Sequence, residues 1–328
     1  MGKERLLWID WMKVIGMYFI IAGHIFPLGH EYIYVFSVPL FFVISGYLGH
    51  RENNDRLFWE KLCTNLILPC IVICLILHLE MIASQIRIGV FGWNLVPKHI
   101  IQCIIGSLNL HTLEGGIGIC WFIYTLVLCK IIQQYLSHFK LANVAIIVLC
   151  AVISIWYNIN NLHYCNSIMN VTLAYPMYAM GGGINVEKIL SAKVFVHIFA
   201  FAVYVLIVII VGWYNGAPWM YDATYGKNIV LFFVGGLSGT MAVLIVSYHL
   251  KKFKPSWLLV ISRGTIIILG FHQLFIRAYS YLPDMFHNVL VDYIMALVIL
   301  FAFVPIIQLS ERYFPVLLGS RAQNITKK

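Results

Sequence analysis

LLWIDWMKVIGMYFIIAGHIF, residues 6–26, decides the fold. A helix needs about 20 mostly apolar residues to cross a ~30 Å hydrocarbon core, and this stretch supplies them. It also holds Asp10, Lys13 and His24. The two charges interrupt its apolar run and no small-residue cleavage site follows, so it reads as a retained first helix rather than a cleavable signal peptide. At about 100° per residue, Lys13 and His24 fall about 20° apart around the helix, with Asp10 about 40° from His24. The three form one stripe, His24 lying ~16 Å further along the axis than Lys13. Ionisable groups are costly in hydrocarbon, so such a stripe faces the bundle interior or water and marks a functional site. An Asp10–Lys13 pair at i,i+3 also reads as a plain interfacial anchor, and a lone histidine as a packing residue. A shared face for all three argues for chemistry, and imidazole is the side chain best matched to taking a proton from an alcohol near neutral pH.

The rest of the chain agrees with a membrane setting. Of 328 residues, 61% are hydrophobic and 11% charged, against about 25% charged in soluble domains. That balance excludes a water-soluble enzyme, a disordered chain, a coiled coil and a secreted disulfide scaffold. The net charge of +9 is not gathered in a stripe or tail, so no nucleic-acid partner is expected. Cys63, Cys70, Cys74, Cys103, Cys120, Cys129 and Cys150 fall in or beside apolar runs and Cys165 in a loop, with no metal or disulfide spacing.

Ten apolar runs lie near 6–28, 33–49, 62–83, 115–133, 141–158, 168–184, 193–214, 228–247, 257–276 and 288–309. The expected fold is an all-α integral membrane protein of about ten transmembrane helices, with an interfacial amphipathic helix near 89–110 where Pro97, Lys98 and His99 lower the hydropathy. Alternate loops carry sixteen Lys and Arg on one side and four on the other, Lys13 and Arg263 lying within spans. By the positive-inside rule both termini are cytoplasmic. No repeat or composition shift divides the chain, so residues 1–328 read as one membrane domain.

IDWMK, then GH eleven residues after the lysine, then VPLFFVISGYLG (38–49), a basic loop and a proline-broken third helix (LILPCI) together resemble the acyltransferase-3 family, in its branch of fucose-4-O-acetylase-like sugar O-acetyltransferases. The likeness extends through GICWFIYTLVL (118–128), YPMYAMGG (175–182) and ISRGTIIILGFHQLF (261–275). It implies a multi-pass enzyme of the plasma (inner) membrane, moving an acetyl group from acetyl-CoA to a hydroxyl of a cell-envelope or exopolysaccharide sugar. In that reading His24 handles the acceptor hydroxyl, Lys13 with Asp10 positions it or contacts the donor, and Ser45, Trp121, Tyr124 and His272 contact substrate by their place in the matched segments. Arg51, Arg56 and Lys61, with the 251–254 cluster KKFK, would meet the phosphates of coenzyme A; no metal is implied. One departure concerns the donor: Thr64 and Asn65 stand where the family often has a second arginine before the third-helix proline. Arg263 and His272 fall about 180° apart on a continuous ninth helix, which keeps them from facing one cavity. The competing reading is a transporter or flippase for a glycan or lipid, its intramembrane ionisable groups lining a pathway; a membrane scaffold would leave the first-helix stripe without a purpose.

Overall fold

The computed structural model describes residues 5–93, 96–97, 121–136, 139–160, 162, 167–220, 224–283 and 287–321. They form helices and no strand, apart from one isolated bridge between Trp219 and Thr224. In chain order these are α1 (Leu7–Ile25), α2 (His30–Tyr34), α3 (Ser37–Tyr47), α4 (Asp55–Leu62), α5 (Leu68–Arg87), α6 (Trp121–Leu136), α7 (Lys140–Ile159), α8 (Ser167–Gly183), α9 (Val186–Leu190), α10 (Val194–Asn215), α11 (Ile229–Leu250), α12 (Ser256–Arg263), α13 (Thr265–Tyr279) and α14 (Val289–Tyr313). Each apolar run of the sequence is mostly helical in its described part. Among the described residues, five helices are long and apolar enough to cross a membrane: Asp55–Arg87 taken as one, α7, α10, α11 and α14, so the expected ten are not all seen as spans. A sixth is counted if α12 and α13 make one span. The protein is an all-α, multi-pass membrane protein.

Three runs differ from straight spans, each for a local reason. Residues 33–49 break between α2 and α3, leaving an 11-residue buried helix that is too short to cross alone. The ninth run bends by 86° at Gly264. Arg263 therefore sits on a different helix axis from His272, and the angular argument that separated them does not apply; Arg263 instead pairs with Glu311 at 2.7 Å. The third run lengthens to Asp55–Arg87 by passing through a π turn at Cys63–Ile67. Pro69 would clash with the carbonyl four residues earlier in a regular α-helix, and the wider turn just before it makes room. Residues 94–95 and 98–110 of the expected interfacial helix lie outside the described residues; of the rest, 89–92 are not helical, while 93 and 96–97 are.

Helix α1 is the central post, touching α3, α11, α12, α13 and α14. Helices α7 and α10 lie outermost, with Leu141 84% and Phe195 76% exposed, as a lipid-facing surface requires. Lipid tails remove most of the hydrophobic drive between helices, so close contact depends on small residues. The tightest case joins α3 to α8: a Cβ on Gly181 would lie 2.1 Å from the Val43 carbonyl oxygen, and one on Gly46 would overlap the Tyr178 carbonyl. Gly183, two residues on, has open space. Gly181→Ala is expected to destabilise the fold by on the order of 3 kcal/mol through this overpacking, lowering the midpoint of thermal unfolding in detergent, while Gly183→Ala leaves that midpoint within a degree or so.

Candidate active site

A cavity of about 960 Å³ lies between α1, α3, α5, α6 and α13. Its lining runs from Lys61 to Gln85 on one continuous helix, ~36 Å of axial length. One mouth carries His50, Glu52, Lys61, Lys130 and Gln133; the other carries Phe26, Glu80, Gln85, Trp219 and Arg277. Helix α1 contributes Lys13, Met17, Ile20 and His24, the i, i+4, i+7, i+11 stripe of one helical face. Lys13 lies toward the first mouth and His24 toward the second.

Both central imidazoles are held in the same way. His24 Nδ1 lies 2.7 Å from the Ile20 carbonyl. His272 Nδ1 lies 2.9 Å and 3.0 Å from the Ile268 and Leu269 carbonyls. A carbonyl only accepts, so each neutral ring carries its proton on Nδ1 and presents Nε2 as a lone-pair acceptor. The rings meet edge to face with centroids 4.9 Å apart, and Tyr34 stands 6.1 Å from His24 on another side. His272 is fully buried and its Nε2 has no hydrogen-bond partner. His78, also on the lining, binds its own i−4 carbonyl at 2.8 Å. An imidazole with its proton donor tied to backbone and its acceptor turned to a cavity is the geometry of a general base.

Asp10 does not join this lining. Arg5 grips its carboxylate with two bonds of 2.8 Å and Ser262 donates a third, so Asp10 is 4% exposed and pins the start of α1 to α12. The stripe read from helix geometry holds for Lys13 and His24, while Asp10 at its end is taken up by its neighbours. Of the other expected contacts, Ser45, Trp121 and His272 line the cavity. Tyr124 does not; it packs on the core around Ile73 and Ile123. Lys61 lines the first mouth, whereas Arg51 and Arg56 are exposed and off the lining.

Sequence reasoning missed several lining groups. Lys130, counted as a loop cation, lies 5.9 Å from the Tyr178 ring centroid and lines the first mouth. Ile123, Leu126, Lys130 and Gln133 share one helical face, a signal that was available in the sequence. Glu52 pairs with Lys61 at 2.6 Å, and Gln134 clamps the Glu52 backbone in both directions at 3.0 Å and 2.9 Å. The Lys61 ammonium holds the Glu52 carboxyl below the usual carboxylate range, so the pair stays charged at neutral pH and weakens only as acid reaches that lowered value. At the second mouth Arg277 pairs with Glu80 at 3.1 Å. The π turn puts Asn65 on the lining four residues after Lys61, in the segment where the second arginine was looked for. Among the described residues no group of three or more His, Cys, Asp or Glu is arranged to hold a metal.

Fold and site together define a multi-pass membrane protein with two imidazoles in an internal cavity and a cationic entrance. A family model for an acyltransferase domain (Acyl_transf_3) matches residues 6–309, nearly the whole chain. The chain belongs to the acyltransferase-3 family and is a membrane acyltransferase. Comparison with curated proteins and with solved structures gives no match.

Asp10→Asn should act on stability: losing the charge gripped by Arg5 and Ser262 costs about 2 kcal/mol. Thermal unfolding in detergent is expected to show that loss, while transferase activity at a temperature where the variant remains folded stays within a few fold of the native protein.

Proposed function

We propose that the protein is an O-acetyltransferase that takes its acetyl group from acetyl-CoA and places it on a hydroxyl of a sugar in a cell-envelope or secreted polysaccharide, or in its lipid-linked precursor. The observation that carries this reading is the single cavity lined by His24, its Nδ1 committed to the Ile20 carbonyl, and by Lys13, Lys61 and Lys130 toward the first mouth. Three ammonium groups along the first half of the cavity suit the phosphates and pantetheine arm of coenzyme A, entering from the cytoplasm. Lys61 and Lys130, with Asn65, take the place of an arginine pair. The ~16 Å from Lys13 to His24 fits a donor whose thioester reaches the imidazole while its charged end stays with the lysines.

In the transfer step His24 Nε2 takes the hydroxyl proton of the acceptor as its oxygen attacks the thioester carbonyl. The new C–O bond forms and the C–S bond breaks. Coenzyme A leaves as the thiol, carrying the proton returned by His24. Lys13 holds the donor and sets the thioester's depth. His272, against the His24 ring, offers a second acceptor to the incoming hydroxyl.

A cavity lined by exposed residues at both mouths is also what a conduit requires, and the two readings part on one variant. With purified protein, radiolabelled acetyl-CoA and envelope glycan, His24→Ala should lose at least a hundredfold in acetyl incorporation while inserting normally. Undiminished incorporation refutes the catalytic role; lost export of glycan that is still acetylated favours a transporter. Lys13→Arg should retain transfer and Lys13→Leu should not, read as a rise in KM for acetyl-CoA; equal activity in both removes Lys13 from the donor site.

A further inference from the structure

The second mouth holds an aromatic cluster that donor binding and proton transfer do not use. Phe26 is the one non-glycine residue among those described with positive φ, +58°. A left-handed backbone is unfavourable for a bulky side chain and persists where the surroundings impose it, most often at functional sites. This one follows His24 by two residues and turns the Phe26 ring onto Trp219, with centroids 5.4 Å apart and planes 28° apart. Tyr34 flanks the same indole at 5.2 Å. Trp219 is itself firmly presented. Its backbone exchanges two hydrogen bonds with Thr224, at 2.8 Å and 3.0 Å, and buried Asn215 fastens the returning segment through Tyr225 and Asn228. Even so, Trp219 is 39% and Phe26 49% exposed, so a rigid aromatic shelf stands open at the mouth.

The same cavity is also lined by residues with buried polar atoms that lack partners. Of the four such side-chain atoms among the described residues, two line this cavity: Gln85 Oε1 and His272 Nε2. Both are acceptors, and a buried acceptor left unpaired calls for a donor. An acyl chain or an alkyl alcohol offers at most one hydroxyl and no flat polar edge. A pyranose ring offers a C–H face for the indole and several O–H donors around its rim, where Gln273 and the Glu80–Arg277 pair also lie.

We infer that Trp219, Phe26 and Tyr34 on one side, with Gln85 and His272 on the other, form a subsite for one pyranose ring of the acceptor, stacked on the indole with a hydroxyl directed at His24 Nε2. The inference rests on the acetyltransferase reading for its biological meaning, but binding at the subsite needs no catalysis. The left-handed Phe26 also ends α1, its N–H bonding to the Gly23 carbonyl, so the same residue caps the helix and stands against Trp219.

The test is saturation-transfer NMR on full-length protein in detergent, without acetyl-CoA, using methyl pyranosides of glucose, galactose, mannose and fucose, with sorbitol and octanol as comparisons. At least one pyranoside should give transfer concentrated on protons of one ring face. Trp219→Ala should reduce it at least fivefold, Trp219→Phe should keep most of it, and Gln85→Leu should weaken it without changing the thermal midpoint. Equal signals in native protein and Trp219→Ala, no pyranoside signal at all, or a signal from octanol alone overturns the subsite. Pyranoside binding that depends on Trp219 in a protein that transfers no acetyl group would sink the catalytic reading and leave this inference standing; transfer to sugar indifferent to Trp219 would do the reverse.

Discussion

Hydrocarbon cannot solvate an ammonium or an imidazole, and the architecture follows from that constraint. Lys13 and His24 on α1, with His272 on α13, are tolerable inside an apolar bundle only if the helices around them part to leave a cavity. Helix α1 therefore sits at the centre, clothed on its other faces by the core clusters that join it to α3, α10, α11 and α14. Gly46 and Gly181 let α3 and α8 approach closely, and Ser45, next to Gly46, lines the lumen.

The same constraint fixes proton positions. In an apolar helix the nearest acceptor for a histidine N–H is the carbonyl one turn earlier, and His24, His78 and His272 all use it. For His272 that leaves Nε2 without a hydrogen-bond partner. A membrane bundle can in this way assign tautomers without the buried carboxylate that orients the base in many soluble hydrolytic sites. Asp10, the carboxylate nearest in sequence, is spent instead on Arg5 and Ser262.

Composition made the all-α membrane class legible, and the turn angle of one helix made the Lys13–His24 stripe legible, because both depend on local periodicity alone. Asp10 was misplaced because its partners, Arg5 and Ser262, come from a loop and from a helix 252 residues away. Hydropathy sums apolar content over a window and is blind to direction, so it passed over the break before Ser37 and the 86° bend at Gly264. Lys130 was readable from its helical face but was hidden by the convention of counting basic residues at span ends as loop cations. Trp219 had no signal at all: nothing in a Pro–Trp–Met loop says that it will fold back onto Phe26 and Tyr34, nearly two hundred residues earlier.

One lumen joining a cationic mouth to His24 and His272 is the centre of the structure. The most direct measurement uses sealed proteoliposomes of one orientation, with labelled acetyl-CoA supplied on one side and glycan acceptor on the other. Acetylated glycan formed only when donor meets the Lys61 mouth and acceptor the Trp219 mouth is the predicted result. Transfer that proceeds only when both substrates share one compartment would contradict it.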